Sequence, residues 1–121
     1  MDHDLEIRFE KLRKHLELTF GDGLDFKGML FLIGVNELGH GHQKYSKQEK
    51  TELFHIAVCT LLEPYGHYAF EGRDKDGWPH FKLLKSLPNI NQREQDFLLK
   101  QAMLEYFISN EYYKEKEELN N

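Results

Sequence analysis

Among the residue types able to do chemistry, two Glu-x-x-His motifs come first: Glu37-Leu38-Gly39-His40 and Glu52-Leu53-Phe54-His55. On a helix, the carboxylate and imidazole of such a motif share one face. Carboxylate-bridged di-metal bundles use two of them, with one further Glu from each of two other helices. Glu10 or Glu17, and Glu94 or Glu105, are the carboxylates available for that part. Three considerations weigh against it. With seven His and fourteen Glu in 121 residues, chance alone yields about one such motif. Gly39 is expected to stop its helix before His40. The motifs also fall on consecutive helices, whereas ferritin-like folds alternate them. A single zinc-sized site built from Glu37, His40 and His42 needs a fourth ligand or water, and a polar Gly-His-Gly-His surface loop explains the same residues. No cofactor is therefore expected, and a divalent metal on Glu37, His40, His42, Glu52 or His55 is the minor alternative.

Helical geometry gathers Glu52, His55, Cys59 and Glu63 within about 80° of one another, which sets an imidazole beside a thiol. Cys59 lies inside the apolar run from Leu53 to Leu62, however, where a thiol behaves as a small core hydrophobe with a raised pKa. No Gly-rich elbow or oxyanion loop accompanies it. Asp74-x-Asp76-Gly77 resembles a calcium loop, but its Gly comes early and no Glu follows at the required spacing. Ring systems are the denser signal. Tyr65, His67, Tyr68, Phe70, Trp78, His80 and Phe81 crowd residues 65–81. Alternating strands cannot aim all of them at one core, so Tyr68, Phe70, Arg73, Trp78 and His80 are the candidate anchors of a protein interface. The competing explanation is that Tyr68, Phe70, Trp78 and Phe81 pack the segment onto helices.

The elements that must position these residues are mainly helical. Leu5, Phe9, Leu12 and Leu16 recur at helical spacing, predicting a helix over 4–20, with Asp2 or Asp4 at its start and Gly21 past its end. Residues 26–38 are nearly all apolar, so periodicity alone cannot separate buried helix from buried strand. Asp25 as N-cap, the length and the Gly39 stop favour helix. Gly28 and Gly34 count against it, at about 1 kcal/mol each relative to Ala, unless a neighbouring backbone comes close there. Ser46-Lys47-Gln48-Glu49 is a capping box opening the next helix, which Pro64-Tyr65-Gly66 ends. Aromatic flanks around Asp76-Gly77 predict a hairpin over 67–83, with Pro79 confined to an edge or a short strand. Asn91-Gln92-Arg93-Glu94 opens a last helix. Its apolar arc between Phe97 and Ile108 exceeds half the circumference, which makes it either central to the domain or part of a subunit interface. The expected architecture is one four-helix domain over 1–121, with a small β-hairpin between helices 3 and 4 and a charged tail from about 112 expected to fray.

Composition narrows the classes. The chain is 40% apolar, 13% aromatic and 31% charged, with 21 acids against 16 bases and one Cys. That is enough apolar content for one core. It excludes wholesale disorder, a disulfide framework and an apolar run long enough to cross a bilayer. Met1-Asp2-His3-Asp4-Leu5-Glu6 has no basic segment leading into an apolar stretch, so no secretory signal and a cytoplasmic location are expected. The formal charge of −5 opposes nucleic-acid binding.

The motifs Phe31-Leu32-Ile33-Gly34-Val35-Asn36-Glu37-Leu38-Gly39, His55-Ile56-Ala57-Val58-Cys59 and Asp76-Gly77-Trp78-Pro79-His80 occur in this order. They resemble a family of small bacterial proteins of unknown function over about residues 26–108. The resemblance implies a bacterial cytoplasmic source and carries no activity, cofactor or site residue. The expected function is a non-enzymatic interaction module, a homodimer able to engage a protein partner. One alternative is a winged-helix nucleic-acid binder, which the element order permits, although Arg73, Lys75, Lys82 and Lys85 are offset by Glu71, Asp74 and Asp76. The other is a metal-dependent enzyme using the Glu and His residues above.

Overall fold

Asp25 and Gly39 decide the ambiguous second segment. The Asp25 carboxylate accepts from the Gly28 N–H at 2.8 Å. Gly39, at φ 79°, donates its N–H to the Val35 carbonyl at 3.0 Å. Between these caps the chain is helical over Phe26–Leu38. The computed structural model describes residues 2–41, 43–87 and 89–115. The described chain folds as α1 (Asp2–Phe20), α2 (Phe26–Leu38), α3 (Lys47–Leu62), a 3-10 turn (Glu63–Tyr65), strands β1 (Tyr68–Arg73) and β2 (Pro79–Leu83), and α4 (Gln92–Ser109). It is mainly α, with the hairpin between the third and fourth helices, as expected.

Local chemistry sets most of the boundaries. Ser46 and Glu49 form a reciprocal capping box at the start of α3, and Asn91 and Glu94 form another at the start of α4, each satisfying two otherwise orphaned N–H groups. α1 begins two residues earlier than its apolar stripe announces, so Asp4 sits inside the helix and not at its cap. At the far end Gly21, at φ 97°, donates to the Glu17 carbonyl at 2.9 Å.

The stripe Leu5, Phe9, Leu12 and Leu16 is buried and packs α1 along α4, while α2 packs along α3. The main core joins that stripe to Met29 and Ile33 of α2, Ala57 and Leu61 of α3, and Met103, Leu104 and Phe107 of α4. The broad apolar arc of α4 is thus largely consumed within the chain: Met103 is 0% exposed and Phe97 and Leu99 pack partly buried against the same core. A second, smaller core of Leu38, Tyr45, Leu53 and Ile56 receives Trp78 and Phe81 from the hairpin.

The hairpin pairs Tyr68 with Leu83, Phe70 with Phe81 and Arg73 with Pro79. A bulge between Phe70 and Gly72 leaves Glu71 without an opposite residue, and Gly72 takes φ 117° there, a backbone suited to glycine. Pro79 opens β2, the position where its missing N–H costs no ladder bond. The expected fraying tail differs from expectation at its beginning. Tyr112–Glu115 fold back onto the helices: Arg8 makes a two-pronged pair with Glu115 at 2.8 Å, and Tyr113 lies against His15 at 5.0 Å between ring centroids. Residues 116–121 lie outside the described part.

Where α2 meets α3, a Cβ on Gly34 would stand 2.3 Å from the Leu53 carbonyl oxygen. Packing, not propensity, selects glycine at this position. Gly34→Ala is expected to lower stability by about 3 kcal/mol despite the better helix former. Gly28→Ala, where the added carbon meets the mobile end of Leu24 at 2.9 Å and the Asp25 carboxylate at 3.1 Å, should change it by less than about 1 kcal/mol. Urea unfolding of both variants checks the contrast; equal losses would refute a close contact at Gly34.

Candidate functional site

The hairpin is fixed to α2 by one side chain. Arg73 Nη1 donates to the Leu38 carbonyl at 3.1 Å and to the Gly77 carbonyl at 2.8 Å, while Nη2 donates to the Glu37 carbonyl at 2.6 Å. The guanidinium thereby caps the carbonyl end of α2, where the helix dipole favours a cation, and closes the hairpin turn in the same grip. Within that turn the Asp74 carboxylate accepts from the Asp76 N–H at 2.9 Å and the Trp78 N–H at 3.0 Å. Its second oxygen meets His80 Nε2 at 2.9 Å. These contacts, the His80 bond first, hold the Asp74 carboxyl below the usual carboxylate range.

The candidate interface residues therefore divide. Trp78 is half-buried and belongs to the second core. Tyr68 is half-buried and meets His55 edge-on at 6.2 Å. Arg73 is exposed yet committed to α2, so it is not a free anchor, nor a free cation for a phosphate as a winged-helix reading would require. His80 is exposed and paired with Asp74. Phe70 alone presents a large apolar surface, 48% exposed, although its ring rests edge-on against Phe81 at 5.7 Å. It has neighbours that the aromatic signal did not single out: Leu83 and Leu84, each 55% exposed, and Leu87, 37% exposed. The strand pairing puts Phe70 and Leu83 on one face of the sheet as diagonal neighbours. Leu84 follows directly, where the connector is pinned by Leu84 N–H and Lys85 N–H donating to the His67 carbonyl at 2.9 and 3.3 Å. The buried His67 ring adds a bond from Nδ1 to the Lys85 carbonyl at 3.0 Å. Because a carbonyl only accepts, Nδ1 carries the proton.

The metal candidates do not come together. Among the described residues, no three His, Cys, Asp or Glu side chains converge on a point that could hold an ion. Glu37 instead accepts from the Tyr106 hydroxyl at 2.6 Å. His40, past the Gly39 stop, lies over the hairpin turn, with Nε2 3.0 Å from where a Cβ on Gly77 would be. Glu52 and His55 are both exposed on α3, as their spacing requires. His55 Nε2 lies 3.5 Å from Cys59 Sγ, but burial pushes that thiol up to about 11, away from nucleophilic use at neutral pH. His42 lies outside the described residues.

Residue-type reasoning missed a polar network on the opposite side of α2. Asn36 Nδ2 donates to the Tyr106 hydroxyl at 2.7 Å, and the Tyr112 hydroxyl donates to Asn36 Oδ1 at 3.0 Å. Burial first, and then the bond to Glu37, push the Tyr106 phenol well above its ordinary value. The signal was present in the sequence, since Asn36 and Glu37 are the only polar side chains of α2 beyond Lys27.

In comparisons with protein-family models, curated proteins and solved structures, nothing matches the chain. The resemblance of residues 26–108 to small bacterial proteins gains no support from them.

Two outcomes follow from the hairpin geometry. Arg73→Ala should lower stability by about 2 kcal/mol, since charged hydrogen bonds to three carbonyls disappear. Arg73→Lys should rescue little, because one ammonium cannot reproduce the fork; urea unfolding decides. The depressed Asp74 carboxyl contributes stability above its unfolded pKa, and that contribution fades as pH falls through the native value. In an NMR carboxyl titration, His80→Ala should raise the Asp74 midpoint; an unchanged midpoint would contradict the assigned cause.

Proposed function

We propose that the protein is a non-enzymatic interaction module of the cytoplasm that works as a homodimer, joined through the face of the hairpin and the connector that follows it. One observation carries this reading: Phe70, Leu83, Leu84 and Leu87 are all exposed within residues 70–87. Single exposed apolar residues are ordinary on a protein surface, but several close together along a hairpin and its connector are the mark of a surface that meets another molecule. The cluster is also held in place. Arg73 ties the sheet to α2 and His67 pins the connector, so Leu83 and Leu84 cannot withdraw into the second core without breaking those bonds. A two-stranded sheet is marginal by itself, and covering the part of this face that the helices leave open, at Phe70 and Leu83, with the same patch of a second copy forms the self-complementary contact that a two-fold dimer needs. The buried free thiol of Cys59 suits a reducing compartment.

The solution mass at tens of micromolar concentration tests this. Light scattering after size exclusion should give two chains for the native sequence. It should give one chain for the Phe70→Asp, Leu83→Asp double variant, with dissociation favoured at least about tenfold and the unfolding midpoint retained. A native mass of one chain at every concentration refutes the homodimer.

A further inference from the structure

We propose that the cleft between α1, α2, α4 and the folded-back segment 110–115 is a binding site for a small, uncharged, mainly aromatic molecule carrying one hydrogen-bonding group. The cleft has a volume of about 160 Å³. Apolar cavities of about 150 Å³ stay dry and accept a benzene-sized guest. Its walls are apolar, from Leu16, Leu32 and Phe107, and Phe20 stands half out in solvent at its edge. Among the described residues no Asp, Glu, Lys or Arg lines it, and without a fixed charge in the lining an uncharged guest is favoured over one whose desolvation must be offset.

Three polar residues that line the cleft, Asn36, Thr19 and His15, are exposed. Asn36 uses one N–H on Tyr106 and one oxygen lone pair on Tyr112, which leaves a donor and an acceptor on the same amide. The Thr19 hydroxyl and the His15 ring nitrogens also line the cleft and make no hydrogen bond within the described chain. An apolar slot with a few partly unused polar groups in its lining is the usual form of a small-molecule site. The outer wall is the returning chain. Glu111 adopts φ 62°, a left-handed conformation that L side chains disfavour. Beyond it, the N–H groups of Tyr112 and Tyr113 both reach the Phe107 carbonyl, at 2.9 and 3.1 Å. This places the Tyr112 hydroxyl on Asn36. The site does not share residues with the hairpin face, so it stands or falls independently of the homodimer.

Titration of the full chain with phenol, followed by backbone amide NMR, tests the assignment. The expected result is saturable shifts at residues 15–20, 32–36 and 106–113, with toluene binding several-fold more weakly because it lacks the hydroxyl. Leu32→Trp, which fills the slot, should abolish binding while the unfolding transition persists. If that variant fails to fold, Asn36→Ala, at an exposed side chain, should abolish the preference for phenol over toluene, because the amide that takes the hydroxyl is gone. Linear, non-saturating shifts, saturable shifts confined to the hairpin, native-like phenol binding by Leu32→Trp, or an unchanged phenol-to-toluene preference in Asn36→Ala would each overturn the proposal.

Discussion

The approach of α2 to α3 at Gly34 governs the rest of the molecule. With no side chain at that point, the α2 backbone comes close enough that a methyl group would collide with the Leu53 carbonyl. Leu53 itself is fully buried in the second core with Leu38 and Ile56. That small core is the seat on which Trp78 and Phe81 rest, so helix spacing determines whether the hairpin has anything to lean on. The end of α2 is fixed by the same contact. Its last carbonyls, on Glu37 and Leu38, fall within reach of Arg73, and the cation at the helix C-terminus then holds the hairpin at a single angle. Two residues beyond Gly34, about 200° around the helix, Asn36 points away from α3 and toward Tyr106. One glycine thus orients both faces of α2: an apolar one against α3 and a polar one against α4.

Much of this architecture was legible because it rests on short-range chemistry. Asp25, Gly39, Ser46, Glu49, Asn91 and Glu94 are capping residues whose partners lie within four positions, so spacing alone discloses them. The α1 stripe was legible for the same reason, and so was the hairpin with its Pro79 edge. What escaped was whatever depends on partners far along the chain. Arg73 looks like an exposed loop-tip anchor until α2 is brought beside it. Tyr112 and Glu115 look like part of a charged tail until Asn36 and Arg8 are in place, 76 and 107 residues away. The apolar arc of α4 suggested a subunit interface because its width was visible and its neighbours were not; α1 and α3 take up most of it. For the proposed contact surface, the aromatic density of residues 65–81 pointed to the hairpin without disclosing which of its side chains are exposed. Trp78 packs against the second core, while the exposed apolar side chains are Phe70, Leu83 at the end of β2, and Leu84 and Leu87 beyond it.

The apolar exposure that remains is unevenly placed, and that unevenness carries meaning. Had it been scattered, it would describe only a small domain with too little polar surface to cover itself. Part of it is on α1, at Ile7, Leu18 and Phe20, and at Tyr112; the rest lies along the hairpin and its connector, at Phe70, Leu83, Leu84 and Leu87, beside the bulge at Glu71 and the bonds to His67. Constraint without burial is costly in conformational entropy, and within this chain it gains little hydrophobic return. The proposed dimer contact would supply that missing burial at Phe70 and Leu83.

The returning segment 110–115 shows the opposite balance. The Arg8–Glu115 pair has good geometry, but its side chains are 42% and 35% exposed, so water screens it to a contribution of about 1 kcal/mol or less. The left-handed Glu111 works against the return with a cost of about 1 kcal/mol. What tips the segment onto the helices is the half-buried Tyr113 beside His15 and the Tyr112 hydroxyl on Asn36, contacts that are each modest in water. This wall of the cleft is accordingly the least firmly held part of its lining, while Leu16 and Phe107 on the other sides belong to the main core. A guest that fills the space behind Tyr112 adds apolar contact where the chain itself supplies least. Its binding energy would therefore go chiefly into holding the returning segment closed.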